Sequence, residues 1–311
     1  MTPFFERLVV LAGQTDSYEQ GSVLLEEFVG VKVSDSTLYR ATQKKGEQAG
    51  KILAEQQAAI TLERDRENQE PCNTYGAVDG SMINIRGEGW KECKLGRLYR
   101  SEDISTQSQA QRIEQSVYAA HLGESADFIN KFEQVIRVNK GEEDSLILLG
   151  DGATWINKYF QLSHPDCVRI LDFYHVTEKI KAYARDHLNP KTKKLWVDQM
   201  CHNLLAKGGR FVYNQIKNLE PKSKKAKKAK QNLLTYFKNN LARMNYPYYD
   251  SMNYYIGSGT IESAHKFVIH QRMRRPGQRW SRHGANAVID LRVLRYNNSW
   301  NLLFPVLINA A

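Results

Sequence analysis

Apolar residues recur at helical spacing through the first third of the chain. Phe4, Leu8 and Leu11 mark one helix face, and Val23, Leu24 and Phe28 mark a second run from Tyr18 to Phe28. Gly30-Val31-Lys32-Val33 breaks the second run, and Ser34 stands as the expected N-cap of a helix beginning at Asp35. Two helices across a tight glycine-containing turn make a helix-turn-helix pattern. Its second helix would present Ser36, Thr37, Arg40, Lys44 and Lys45 to DNA, with Arg40 and Lys44 the chief contacts. A small helical bundle that touches no base gives the same pattern. A polar helix from about Gly46 to Glu70 then leads to Pro71.

Beyond Pro71 the hydrophobic period shortens. Thr74 to Gly80 reads as a strand ending in a turn at Asp79-Gly80. Ile83 with Ile85, and Trp90 to Tyr99, read as further strand segments in a hairpin, and Ile113 to His121 as another strand. Ala126 to Val138 returns to helical spacing through Phe128, Ile129, Phe132, Val135 and Ile136. Ser145 to Gly150 is a continuous apolar run, the mark of a strand buried on both faces. A helix from Ala153 to Phe160 and a second buried strand, Val168 to Leu171, complete a strand-helix-strand unit and hence an α/β core. From His175 to Tyr246 the chain is helical and basic, and it carries six lysines within Pro221–Lys230, a solvated stretch or a phosphate-tracking one. A last helix is expected from Ser258 through Glu262 to Met273.

Composition narrows the partners. In 311 residues, 44 Lys and Arg face 34 Asp and Glu, a formal charge of +10 that favours a polyanion. Mean hydropathy is -0.56, no run has the apolar length of a membrane span, and the first residues lack the basic-then-apolar plan of a signal peptide. A cytosolic protein without membrane contact is expected. Cys72, Cys93, Cys167 and Cys201 form no CxxC pair and are read as buried thiols.

Two aspartates stand out. Asp79 and Asp151 each close an expected strand and each precede a glycine. One Asp-Gly is ordinarily a turn. Two at strand ends, where ligand sites of α/β sheets gather, suggest carboxylates held together by a hard cation such as Mg²⁺ or Mn²⁺. Glu262, in the first turn of a helix opened by Gly257-Ser258-Gly259-Thr260, supplies a third carboxylate; alone it reads as a surface Glu favoured by the helix dipole. No Ser-His-Asp pattern and no P-loop are present, so neither a nucleophilic serine nor a nucleotide cofactor is expected.

At these residues the chain resembles a known family. Leu149-Gly150-Asp151-Gly152-Ala153-Thr154-Trp155-Ile156, Ile170-Leu171-Asp172-Phe173-Tyr174-His175, Gly257 to Ala264, and Arg272 to Ser281 look like ordered motifs of bacterial insertion-sequence transposases of the ISKra type, within the DDE superfamily. Ala77 to Gly80, with Gly89 to Glu92, fits the first-strand region, and the likeness covers roughly residues 5–295. The resemblance implies a ribonuclease H-like mixed sheet flanked by helices, interrupted by an all-helical insertion before the catalytic Glu. The expected parts are a helical N-terminal region over 1–70, a first part of the core over 71–176, the insertion over 177–250, and the Glu helix with a basic C-terminal part over 251–311.

It also implies that Asp79, Asp151 and Glu262 are the catalytic triad and hold two Mg²⁺ or Mn²⁺ ions. Asp172 and His175 would stand near the site, His175 touching DNA or orienting the site; a core histidine satisfied by Asp172 is the plainer reading. After Glu262, Lys266, Arg272, Arg274, Arg275, Arg279 and Arg282 occur with no acidic residue before Asp290, and Trp280 among them suggests stacking on a splayed base. A buried Trp280 among solvated arginines is the alternative. The expected partners are double-stranded DNA, as transposon ends and target, and further copies of the chain in a dimer or larger synaptic multimer, with nucleoid association in a prokaryote. Relatives of this type commonly carry a longer N-terminal region. Two other functions remain open from the residues: a ribonuclease H-like nuclease that cuts without joining, and a non-catalytic DNA-binding protein derived from a transposase.

Overall fold

The computed structural model describes residues 1–55, 60–62, 70–107, 110–257 and 259–304. Their contacts divide into two compact units, Met1–Ser145 with Thr260–Ala311, and Leu146–Gly259. Both mix helices and strands, and among the described residues no helix is long and apolar enough to cross a membrane.

The first unit opens with α1 (Pro3–Thr15), α2 (Tyr18–Val29) and α3 (Asp35–Glu55). Each begins at a hydroxyl cap: Thr2 Oγ1 accepts from Phe5 N, Ser17 Oγ from Gln20 N, and Ser34 Oγ from Thr37 N. Gly30, at φ 69°, closes α2 in the left-handed region. Val9, Leu25, Val33 and Leu38 form the small core that the three helices share. α3 runs unbroken through Gly46, where a new helix was expected; its expected continuation towards Glu70 falls mostly outside the described residues.

The glycine serves a helix crossing instead. α3 packs on α12 (Arg282–Tyr296), and a Cβ at Gly46 would stand 2.4 Å from the Ala287 carbonyl oxygen. The apolar periodicity did not announce α12. Its Ala285, Ala287, Val288, Ile289, Leu291, Val293 and Leu294 are all buried, so they surround the helix rather than line one stripe.

β1 (Asn73–Ile85) and β2 (Gly89–Arg100) pair antiparallel without interruption from Thr74↔Arg100 to Ile85↔Gly89. This corrects the turn expected at Asp79-Gly80: Asp79 lies in mid-strand opposite Leu95, and the reversal comes at Arg86–Glu88 beside Gly87 and Gly89, both at positive φ. Gly80 is small for a different reason, because the Glu92 side chain crosses where its Cβ would be. β3 (Ile104–Gln107) and β4 (Ala110–Ile113) form a separate hairpin, and β5 (Val117–Leu122) pairs antiparallel with β2. The single strand expected over Ile113–His121 is therefore two. α4 (Ser125–Asn139) covers β2 and β5 with Phe128, Phe132, Val135 and Ile136. A helical stretch follows Gly259 as α10 (Gly259–Ala264), a π-helical turn (His265–His270) and α11 (Gln271–Met273).

In the second unit β6 (Ser145–Gly150) and β7 (Val168–Leu171) are parallel neighbours, linked through α5 (Thr154–Ser163), as their apolar runs predict. α6 (Phe173–His187), α7 (Lys193–Lys217), α8 (Lys224–Asn240) and α9 (Tyr246–Ser251) make up the expected helical stretch. Tyr246 and Tyr249 donate from their hydroxyls to Leu171 O and Arg169 O, which ties α9 to the end of β7.

Gly46→Ala tests the α3–α12 crossing. Alanine favours a helix over glycine by about 1 kcal/mol, but forcing backbones apart in a packed core costs about 1–3 kcal/mol or more. Urea denaturation is expected to show net destabilisation.

Candidate active site

Asp79 and Glu262, 183 positions apart in sequence, line one cavity of about 470 Å³ with Gly80, Ser81, Met82, His265, His270 and Arg274. Asp79 enters from mid-β1, its Oδ1 accepting from Gly80 N at 2.8 Å. Glu262 enters from the first turn of α10 and is exposed. His265, one helical turn on, shares its face.

The π-helical turn completes this wall. Gln271 N–H donates to Lys266 O, five residues back. In an α-helix side chains five apart diverge by about 140°, whereas here the His265 and His270 rings stack at 5.5 Å and 24°. π turns of this kind concentrate at functional sites. His265 is 2% exposed, neither ring nitrogen reaches a well-formed hydrogen bond among the described residues, and Nε2 stops 3.7 Å from Asp79 Oδ2. Burial is the main reason its pKa falls to about 4, with His270 and Arg274 adding to the effect and the Asp79 backbone opposing it. The imidazole is neutral at pH 7. His270 is likewise lowered, by burial and then by Arg274.

Arg97 fixes the helix start. Its guanidinium donates to Ser116 Oγ (2.8 Å), Thr260 O (2.9 Å) and Ser263 Oγ (3.4 Å), and it lies against the rings of Tyr99 and Tyr118. The first turn of α10, and with it Glu262, is thereby bound to β2. Arg97, His265 and His270 escaped the sequence reading. A His pair spaced by five residues carries no signal until the helix is known to widen.

Asp151 belongs to the second unit, directly after β6 as expected. Its Oδ1 accepts from Ala153 N at 2.8 Å and its carbonyl accepts from Arg243 Nη2 at 3.2 Å. Arg243 is 2% exposed and also bonds Asn240 Oδ1. The Tyr236 ring lies so close over Gly152 that a Cβ there would meet it at 2.4 Å. Burial raises the Tyr236 pKa, with Asp151 and Asp172 adding to the rise. Asp172 caps α6 by accepting from Tyr174 N, and His175 faces Tyr236 at 6.4 Å between ring centres.

The segment after Glu262 divides. Lys266, Arg274, Arg279 and Arg282 are exposed, although Arg282 pairs with Glu88 and lowers its pKa. Arg275 pairs with Asp16. Arg272 and Trp280 correct the expected DNA contacts. Arg272 is fully buried, donates to Gly13 O, and lies over the rings of Tyr18 and Trp280. Trp280 donates to Met273 O and is 6% exposed, which removes its face from any base. Arg40 and Lys44 are exposed along α3 with Ser36, while Lys45 pairs with Glu6. Cys93 is buried, the other three cysteines are half-buried, and no disulfide joins any of them among the described residues.

Among the described residues no group of three His, Cys, Asp or Glu side chains is gathered to hold a metal ion. The donor types nevertheless suit one: two carboxylates open to one cavity are ligands that hard divalent cations take while retaining water. His265 beside Asp79 adds ring nitrogens that are buried and have no well-formed hydrogen bond among the described residues.

A family model described as "Uncharacterised protein family (UPF0236)" matches residues 4–301. No curated protein matches the chain.

The depressed His265 pKa makes a stability prediction. The unfolded chain, with an ordinary pKa near 6.5, takes the proton first, so this contribution is whole above pH 6.5 and is lost as pH falls towards 4. Wild type is expected to lose up to about 3 kcal/mol more between pH 7 and pH 4 than His265→Leu, as measured by urea unfolding at each pH.

Proposed function

For a chain that belongs to the UPF0236 family over residues 4–301, we propose the activity of a DDE transposase, namely metal-dependent cleavage of double-stranded DNA at the ends of an insertion sequence and transfer of the freed 3′ ends to a target. The observation that carries it is the meeting of Asp79 and Glu262 in one cavity. The ordered motifs around Asp151, Asp172 and Glu262, similar to those of ISKra-type transposases, support it. So does the place of Asp151 at the C-terminal end of a parallel strand. The core of the enzyme is ribonuclease H-like in this reading, with the antiparallel β5-β2-β1 run and the parallel β6-β7 pair as its expected contributions.

Asp79, Asp151 and Glu262 would hold two Mg²⁺ or Mn²⁺ ions. When bound, such a pair about 4 Å apart supplies an activated water or 3′-hydroxyl and neutralises charge at the departing oxygen. The chain's own residues do the rest. Arg97 keeps the Glu262 turn seated on β2. Arg243 and Tyr236 define the Asp151-Gly152 loop. Arg274, exposed at the rim of the cavity, and Lys266 on the same helical stretch offer charge to a phosphate. His265, buried beside Asp79, stays uncharged at pH 7. Two ends must be cut together, so the working form is a dimer or larger assembly acting at the nucleoid of a prokaryote.

Purified chain is expected to nick supercoiled plasmid with Mg²⁺ or Mn²⁺ and to stop in EDTA. Asp79→Ala, Asp151→Ala and Glu262→Ala are each expected to cost on the order of 10³-fold, provided circular dichroism shows a retained fold. Undiminished nicking by Glu262→Ala would refute the triad. Joining of a pre-cleaved duplex end to plasmid distinguishes a transposase from a nuclease that only cuts.

A further inference from the structure

The chain's positive charge is not spread along it. Leu146–Gly259 holds 19 Lys and Arg against 8 Asp and Glu, a net +11, whereas the other unit holds 25 against 26. The whole excess of +10 resides in the second unit. Its densest part is Pro221–Tyr249, which has seven lysines and Arg243 and not one acidic residue.

α8 organises this charge. Ala226, Leu233, Phe237 and Asn240 are buried along one face, and Lys224, Lys225, Lys227, Lys228 and Lys238 are exposed away from it. Among the described residues none of these five makes an ion pair; Asp186, whose carboxylate feels Lys225 only weakly, is already bonded to Arg185. Four of the five crowd the first turns of the helix, where the unsatisfied N–H groups already present positive charge. Lysines three and four apart also repel each other. A sequence selected for helix stability alone would place acids there, so this arrangement weakens α8 unless an anion lies against it.

The arginines after Glu262 are only partly available, Arg274 and Arg279 being exposed. Arg272 and Arg292 are buried, and Arg275 and Arg282 are paired with Asp16 and Glu88.

We propose that the outer face of α8 is a sequence-independent binding surface for the phosphate backbone of duplex DNA. The inference deepens the transposase reading and rests on it for the identity of the polyanion. A bilayer surface is disfavoured because such helices need an apolar face to enter the headgroup region, and that face of α8 is already taken up by Leu233 and Phe237 packing inside the unit. The surface reads no bases, since lysines meet phosphates as point charges and fix position rather than sequence.

The test is fluorescence anisotropy with the full chain and a labelled duplex of about 30 base pairs and arbitrary sequence, in EDTA, across about 50–300 mM KCl. K224Q/K225Q/K227Q/K228Q alters only exposed side chains and keeps good helix formers, and a thermal melt checks its fold. Every phosphate that the variant no longer neutralises lowers the slope of log affinity against log salt by about 0.9. A slope shallower by about 2–4 and binding at least about tenfold weaker near 100 mM KCl are expected. Unchanged slope and affinity in the folded variant would overturn the assignment, as would tighter binding to phosphatidylserine vesicles than to the duplex. The two readings therefore fail separately: a silent α8 variant removes the surface, and metal-dependent nicking that survives in the triad variants removes the catalytic centre.

Discussion

Two guanidinium groups buried in the first unit hold its parts together. Arg272 and Arg292 are almost wholly out of solvent, and burial draws both pKa values down to about 10, so both remain charged at pH 7. Taking a cation out of water is costly unless oxygen acceptors surround it. Here the acceptors are backbone carbonyls. Arg272 donates to Gly13 O and Arg292 to Gln14 O, both in the last turn of α1, where carbonyls lack partners within the helix and its dipole is negative. Arg292 also donates to Phe267 O and Val268 O within the π-helical turn. One side chain thus steadies the start of the unit, the end of the unit, and the widened turn that stacks His265 on His270.

Much of the element pattern was legible because it follows local rules. α1, α2, α4, β6 and β7 lie where apolar spacing puts them, α3 begins after Ser34 as read, and Asp151 follows its strand; the faces read for α1 and α2 are not the buried ones, since Phe4, Val23 and Phe28 are exposed while Val9, Val10 and Leu25 are buried. Asp79 was found for an incomplete reason. Its glycine neighbour suggested a turn, whereas the strand continues and Gly80 makes room for Glu92. α12 was missed because a helix buried on all sides has no polar face to give it a period. The π turn left no trace at all, since the extra residue shows only in the hydrogen-bond register.

Charge was the least legible property. The arginines from Arg272 to Arg282 and the lysines from Lys222 to Lys230 look alike in a sequence, as runs without acids. The fold separates them by chemistry. A planar guanidinium can satisfy several carbonyls at once and is tolerated inside. An ammonium on a flexible stem is strongly hydrated and stays outside. Several basic residues of the first unit go into cohesion and ion pairs, and its acids balance the rest in number, so the net charge lies in the second unit.

α8 also has a mechanical side. Seventeen residues at 1.5 Å per residue make a strut about 25 Å long. Its exposed lysines crowd one end. Towards the other, the Tyr236 ring presses on Gly152 and Asn240 braces Arg243, which grips the backbone of Asp151. One rigid helix therefore fixes the spacing between a cluster of positive charge at one end and the aspartate loop framed at the other.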